Sequence, residues 1–157
     1  MLRFATILDP KIIKDTITNP RLWLWVAEVS SPAPEDLEPV MEVSIREHVG
    51  VWVDAQYYGL FALDFCSTNI IKIHTCLLPS AWGNSSFFAK GILRHIWETY
   101  PKVTQVVTEI PSNNRLALRL ALTAGMQQYG KLLNSWTALN GETMDLIFMQ
   151  IAKPDNI

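Results

Sequence analysis

Two hydrophobic rhythms alternate along the chain. Residues 2–8, 49–55, 60–66, 70–78, 103–110, 127–138 and 143–152 either alternate apolar with polar side chains or are rich in β-branched ones, and these runs predict strands. Ile12, Ile13, Thr16 and Ile17 lie at helical spacing, and residues 22–29, 85–100 and a run closing at Gly125 also predict helices. Residues 40–47 fit either rhythm. Trp23 and Trp25 fall in the second helical run and are read as core or groove wall.

Turn chemistry divides these runs. Asp9-Pro10 predicts a helix start, with Asp9 as N-cap and Pro10 in the first helical position. Asn19-Pro20 interrupts that helix, because proline lacks the interior N–H and restricts the residue before it. The Ser- and Pro-rich stretch 30–36 is a loop by composition, and the 32–39 segment is expected to border a functional cleft. Gln56-Tyr57-Tyr58-Gly59 and Ser67-Thr68-Asn69 read as turns. Asn140-Gly141 predicts a type I′ hairpin, and 153–157 a polar tail.

The resulting order is strand, one or two helices, three antiparallel strands, helix, strand, helix, hairpin. It predicts one α/β domain over 1–157, with a mixed, mostly antiparallel sheet and helices on both faces. The strands at 70–78 and 103–110 should be a parallel central pair that diverges at its carboxyl ends. The intervening helix makes the crossover that parallel neighbours require.

Composition narrows the function classes. The 157 residues are 49% apolar, enough for a substantial core, and the formal charge is −2. Lys and Arg are scattered, which argues against a nucleic-acid partner. No apolar run approaches bilayer length, so no membrane association is expected and a cytoplasmic location is the default. Cys66 and Cys76 lack a Cys/His cluster, so no metal site is expected and both read as buried, reduced thiols.

The chemistry concentrates at two loops that follow strands and open helices, Pro79-Ser80-Ala81-Trp82-Gly83-Asn84 and Pro111-Ser112-Asn113-Asn114. A helix start offers backbone N–H groups and a positive dipole end to an anion. Asn84 or Ser85 could equally cap the first helix, and Ser112, Asn113 or Asn114 the second.

The element order together with these loops resembles the GCN5-related N-acetyltransferase superfamily. There a strand leads into Pro-x-x-Arg-Gly-x-Gly-x-Gly and a helix; here the stretch is Pro79-Ser80-Ala81-Trp82-Gly83-Asn84-Ser85-Ser86-Phe87. The second signature, Asn-x-x-Ala followed by Gly-Phe, reads Asn114-Arg115-Leu116-Ala117 and Gly125-Met126. Asp9-Pro10, the 32–39 loop, Leu77-Leu78-Pro79, Trp82-Gly83 and Ile110-Pro111-Ser112-Asn113-Asn114 together look like the bacteriophage branch, which includes head-assembly proteins. A phage-encoded chain would reside in the host cytoplasm.

The resemblance implies acetyl-CoA as cofactor and transfer of its acetyl group to an amine by direct attack. Gly83, Asn84, Ser85 and Ser86 match the donors around the pyrophosphate, and Asn114 a further cofactor contact. The strand backbone at Leu77 and Leu78 would polarise the thioester carbonyl. The departures are Trp82 in place of a cation, Ser85 in place of glycine, Phe87 in place of a small residue, and Ala121 where the family carries an acidic tyrosine. Tyr129 lies nearby without a motif to place it. His74, on the central strand, is the first candidate base, since imidazole changes charge near neutral pH, and Glu109 the second. His74 could also be a satisfied core residue. His48 and His95 join no constellation. The alternative function is a non-catalytic phage assembly protein that keeps the fold and binds a structural partner; a module binding acyl-CoA as a regulator is a third.

Overall fold

The structure is a computed structural model and describes residues 1–156. The elements run β1 (Leu2–Thr6), α1 (Pro10–Ile17), α2 (Pro20–Val26), β2 (Arg46–Val53), β3 (Gln56–Phe65), β4 (Ile70–Leu77), α3 (Ser85–Thr99), β5 (Gln105–Pro111), α4 (Arg115–Thr123), β6 (Gln127–Thr137) and β7 (Thr143–Ala152). Short 3-10 turns cover Pro34–Asp36 and Pro79–Asn84.

The strands form one sheet in the order β1-β2-β3-β4-β5-β7-β6. Every neighbouring pair is antiparallel except β4 with β5. That pair is joined only at Ile70↔Gln105, Ile71↔Val106 and Lys72↔Val107. Beyond the third rung the ladder stops, and side chains bridge the gap near it: Thr108 Oγ1 donates to the Ile73 carbonyl at 2.9 Å and Lys72 Nζ to Glu109 at 3.4 Å. The two strands thus part at their carboxyl ends, as the strand order predicts.

Period-2 alternation assigns the two faces. Phe61 and Leu63 of β3 and Ile71, Ile73 and Leu77 of β4 pack with Phe88, Ile92, Ile96 and Trp97 of α3. Ala121 of α4 joins that cluster. Leu60 and Ala62 of β3 and Cys76 of β4 point the other way, onto Ile13 of α1 and Leu22 of α2. Helices therefore cover both faces.

Local chemistry explains the helix limits. Asp9 accepts from the Lys11 amide and Asn19 from the Arg21 amide, so each Asx-Pro pair starts a helix as expected. The second helix begins earlier than the 22–29 pattern suggested and ends at Val26, because Pro20 serves as its first residue rather than as a spacer. Within α1 the stripe is narrower than predicted: Ile13 and Thr16 are buried, whereas Ile12 is exposed. Trp23 is core, and Trp25 is exposed.

Two turn expectations and one on the cysteines need correction. Gln56 to Gly59 is strand, and the β2–β3 turn sits at Asp54-Ala55, where Asp54 adopts φ 52°. The β6–β7 hairpin exists, but of Asn140 and Gly141 only Gly141 has positive φ, at 86°, so the turn is not type I′. Ala138 instead donates to the Glu142 carbonyl and Gly141 to the Ala138 carbonyl, a wider loop. Cys76 is buried, and burial pushes its thiol up to about 12, but Cys66 lies past the end of β3 and is exposed. The ambiguous 40–47 stretch resolves into coil and turn up to the start of β2 at Arg46.

Candidate active site

The gap between β4 and β5 is the centre of the site. Leu78 donates to the Tyr58 carbonyl at 2.9 Å and so belongs to the β3 ladder. In an antiparallel ladder successive residues direct their backbone groups to opposite sides. The Leu77 amide therefore points toward β5, at a level where β5 no longer pairs. Of the two expected carbonyl-polarising groups, Leu77 has its amide available and Leu78 does not. The Leu77 carbonyl is engaged, accepting from Trp82 Nε1 at 3.0 Å.

Gly59 fixes the position of this backbone. Its φ is +121°, and a Cβ there would lie 2.5 Å from the Cys76 carbonyl, 2.7 Å from Leu77 Cα and 2.8 Å from Leu78 N. Only glycine permits β3 to press this closely on the end of β4. Read as part of a turn, Gly59 gave no hint of that role in the sequence.

After β4 the chain enters the 3-10 turn at Pro79–Asn84 and continues directly into α3. This differs from an open phosphate cradle. Ala81 donates to the Leu78 carbonyl and Ser85 to the Trp82 carbonyl, so of the amides expected to face a pyrophosphate that of Ser85 is taken up by an i→i+3 bond. Asn84 makes no capping hydrogen bond, and a Cβ on Gly83 would meet nothing within 4 Å. Space and side-chain donors thus remain at the start of α3. The ring of Trp82 carries the Arg21 guanidinium at 4.6 Å from its centroid, so α2 brings a cation beside a loop that has none of its own. Phe87 is 56% exposed, its ring 5.7 Å from that of Phe88. Gly91, one turn on, packs against Phe4 and Leu2 of β1 and makes no niche for Phe87.

Asn114 is the N-cap of α4, its side chain accepting from the Ala117 amide at 3.1 Å. Ala121 is buried in the core beneath α3. Tyr129 stacks on Phe148, with centroids 5.8 Å apart and planes 25° apart.

His74 lies on the α1/α2 face, two residues beyond the last β4 residue paired with β5. The β4–β5 register, continued past its last rung, sets His74 opposite Glu109 across the gap. His74 is joined to a cluster that the sequence did not reveal. Its Nε2 is 2.8 Å from Asp64 Oδ2, and Arg46 Nη2 donates to the same oxygen at 2.8 Å while Arg46 Nε meets Oδ1. Burial works to raise the Asp64 pKa, but hydrogen bonds and charge from His74 and Arg46 outweigh it and hold the carboxyl well below the usual carboxylate range. The Asp64 side chain is 20% exposed and that of His74 36%. Glu109 is paired with Lys72 at 3.4 Å. His48 lies on the same face, buried, and burial with the nearby Arg46 charge lowers it to about 4.

The segment after α2 is held at two points. Val29 donates to the Thr137 carbonyl at the end of β6, and Lys14 of α1 donates to the Glu35 carbonyl. The 32–39 loop is thereby fastened to α1, on the same side of the sheet as His74.

Comparison with solved structures places this architecture. The chain superposes on spermidine N-acetyltransferase from Vibrio cholerae, in complex with CoA and spermine, with a TM-score of 0.78 over 96% of this chain and 95% of that one, at 16% identity. The chain has the N-acetyltransferase fold. An N-acetyltransferase from Staphylococcus aureus Mu50 matches with a TM-score of 0.74 over 97% of each chain at 13% identity. Aminoglycoside acetyltransferase AAC(6')-Ib, in complex with coenzyme A and kanamycin, matches with 0.73 over 98% of this chain and 95% of that one, also at 13% identity. No protein-family model and no curated protein sequence matches the chain. These structures lend the bacteriophage branch of the resemblance no support. Among the described residues no helix is long and apolar enough to cross a membrane, and no three metal-ligating side chains cluster.

Proposed function

We propose that the protein binds acetyl-CoA and transfers its acetyl group to an amine. The observation that carries this reading is the parting of β4 and β5 with the Leu77 amide directed into the gap. His74 and Glu109 flank that gap. The matched enzymes include two described with CoA, one also holding spermine and the other kanamycin.

Acetyl-CoA would supply an activated thioester. Gly83, Asn84, Ser85, Ser86 and Asn114 are the residues proposed to hold it. The side chains of Asn84, Ser85 and Ser86 carry more of the phosphate contact than their amides, with Arg21 near enough to add charge. The Leu77 amide polarises the acetyl carbonyl. His74 takes the proton from the attacking amine as the new C–N bond forms and the C–S bond breaks. With Ala121 in the core and no tyrosine in its place, none of these residues would protonate the leaving thiolate; solvent would supply that proton and take up the one His74 gains. Glu109 is the reserve base, but its pairing with Lys72 favours His74 for the role.

A second reading is favoured by the bonded Ser85 amide at the start of α3: an assembly or interaction protein, of phage or other origin, that keeps the fold without the cofactor. Calorimetric titration with acetyl-CoA separates the two. Binding that Gly83→Val weakens supports the enzyme, and its absence supports the interaction protein.

A further inference from the structure

We infer that Asp64, clamped by Arg46, is a positioning residue that fixes His74 as its Nε2–H tautomer and leaves Nδ1 as the proton acceptor. The catalytic use of this device rests on the acetyl-transfer reading; its existence does not.

Donors and acceptors decide the tautomer. Two guanidinium nitrogens of Arg46 engage the two Asp64 oxygens, and this pairing keeps the carboxylate ionised. An ionised carboxylate only accepts hydrogen bonds. The 2.8 Å contact between Asp64 Oδ2 and His74 Nε2 therefore requires the proton on the imidazole side. In neutral imidazole one nitrogen carries the hydrogen and the other a lone pair, so Nδ1 holds the lone pair. The three residues come from β2, β3 and β4, and the register sets them together: Arg46 pairs with Asp64, and His74 lies diagonally from Asp64 beside Ala62. Other ionisable groups on this face of the sheet include His48 of β2, Tyr57 of β3, Lys72 and Cys76 of β4, and Glu109 of β5; Tyr57 is engaged with Thr16 of α1. Lys72 already pairs with Glu109, which leaves Asp64 as the partner of His74.

Alanine in place of Asp64 removes the acceptor and with it the preference. Nε2 then faces no carboxylate, and the hydrogen distributes over both ring nitrogens.

Long-range ¹H–¹⁵N spectra of the imidazoles in the full ¹⁵N-labelled chain at about pH 8 read the tautomer directly, with His74→Gln assigning the signals. The wild type is expected to show His74 as a single Nε2–H tautomer, Asp64→Ala to show a mixture of both tautomers, and Arg46→Lys to keep the wild-type form. A wild-type His74 in the Nδ1–H form, or a folded Asp64→Ala that keeps a single Nε2–H tautomer, overturns the inference. Should Asp64→Ala fail to fold, the wild-type spectrum still decides. In an active enzyme Asp64→Ala is expected to lower kcat about a hundredfold with KM for acetyl-CoA unchanged. The tautomer needs no cofactor, so failure of acetyl-CoA binding and failure of this inference are separate results.

Discussion

The Nε2 of His74 and a carboxylate oxygen of Asp64 stand 2.8 Å apart across β3 and β4, and Arg46 holds the same carboxylate from β2. This ties stability to pH as well as positioning an imidazole. The folded pKa of Asp64 lies below its ordinary value of 3.8. Stability from this carboxylate is therefore complete above about pH 4 and drains as pH falls toward the folded pKa. Urea unfolding of the wild type should lose stability in that range, and Asp64→Asn, though less stable at pH 7, should show a shallower acid slope. Parallel slopes would contradict this.

His48 gives a second, higher window. It is buried at 3% exposure, with its pKa lowered from 6.5 to about 4. The unfolded chain takes up the proton first, so stability falls as pH drops from about 6.5 to about 4. The loss is on the order of 2–3 kcal/mol. His48→Gln should flatten the stability–pH curve across that interval, as measured by denaturant midpoints at each pH.

Gly59→Ala should cost about 2–4 kcal/mol, because the added Cβ meets backbone atoms of Cys76, Leu77 and Leu78 at a φ that alanine rarely adopts. Thermal melting measures this. Gly83→Ala, where a Cβ meets nothing, should leave the melting temperature unchanged.

Asn114→Ala should cost about 1 kcal/mol through loss of the α4 cap. Asn114→Ser should recover most of the stability. Equal costs for both variants would show that the cap is not the source.

Much of this fold was legible in the sequence. The strands at 70–78, 103–110 and 143–152 and the helix starts at Pro10 and Ser85 follow from periodicity and capping chemistry, which are local. The errors came where a distant partner decides. Gly59 looks like a turn residue until the end of β4 is seen against it. The His74 cluster was hidden because Arg46, Asp64 and His74 share no local spacing, and only sheet register unites them. Arg21 reaches Trp82 across 61 positions of sequence, so the cation seemed absent. Phe87, a departure from the family pattern, stays exposed, and Gly91 one turn on gives it no niche because Phe4 and Leu2 of β1 pack there.

Calorimetric titration of the wild-type chain with acetyl-CoA at millimolar concentration asks whether this gap binds the cofactor. A Kd of roughly 0.1–1 mM, about 4–5.5 kcal/mol, is expected, weakened because the Ser85 amide is already bonded. Phe87→Gly should tighten it if the exposed ring obstructs the phosphates, against a helix-propensity cost of about 1 kcal/mol. No heat of binding from either protein at millimolar cofactor would rule out the acetyl-CoA site and leave an interaction protein on an acetyltransferase fold.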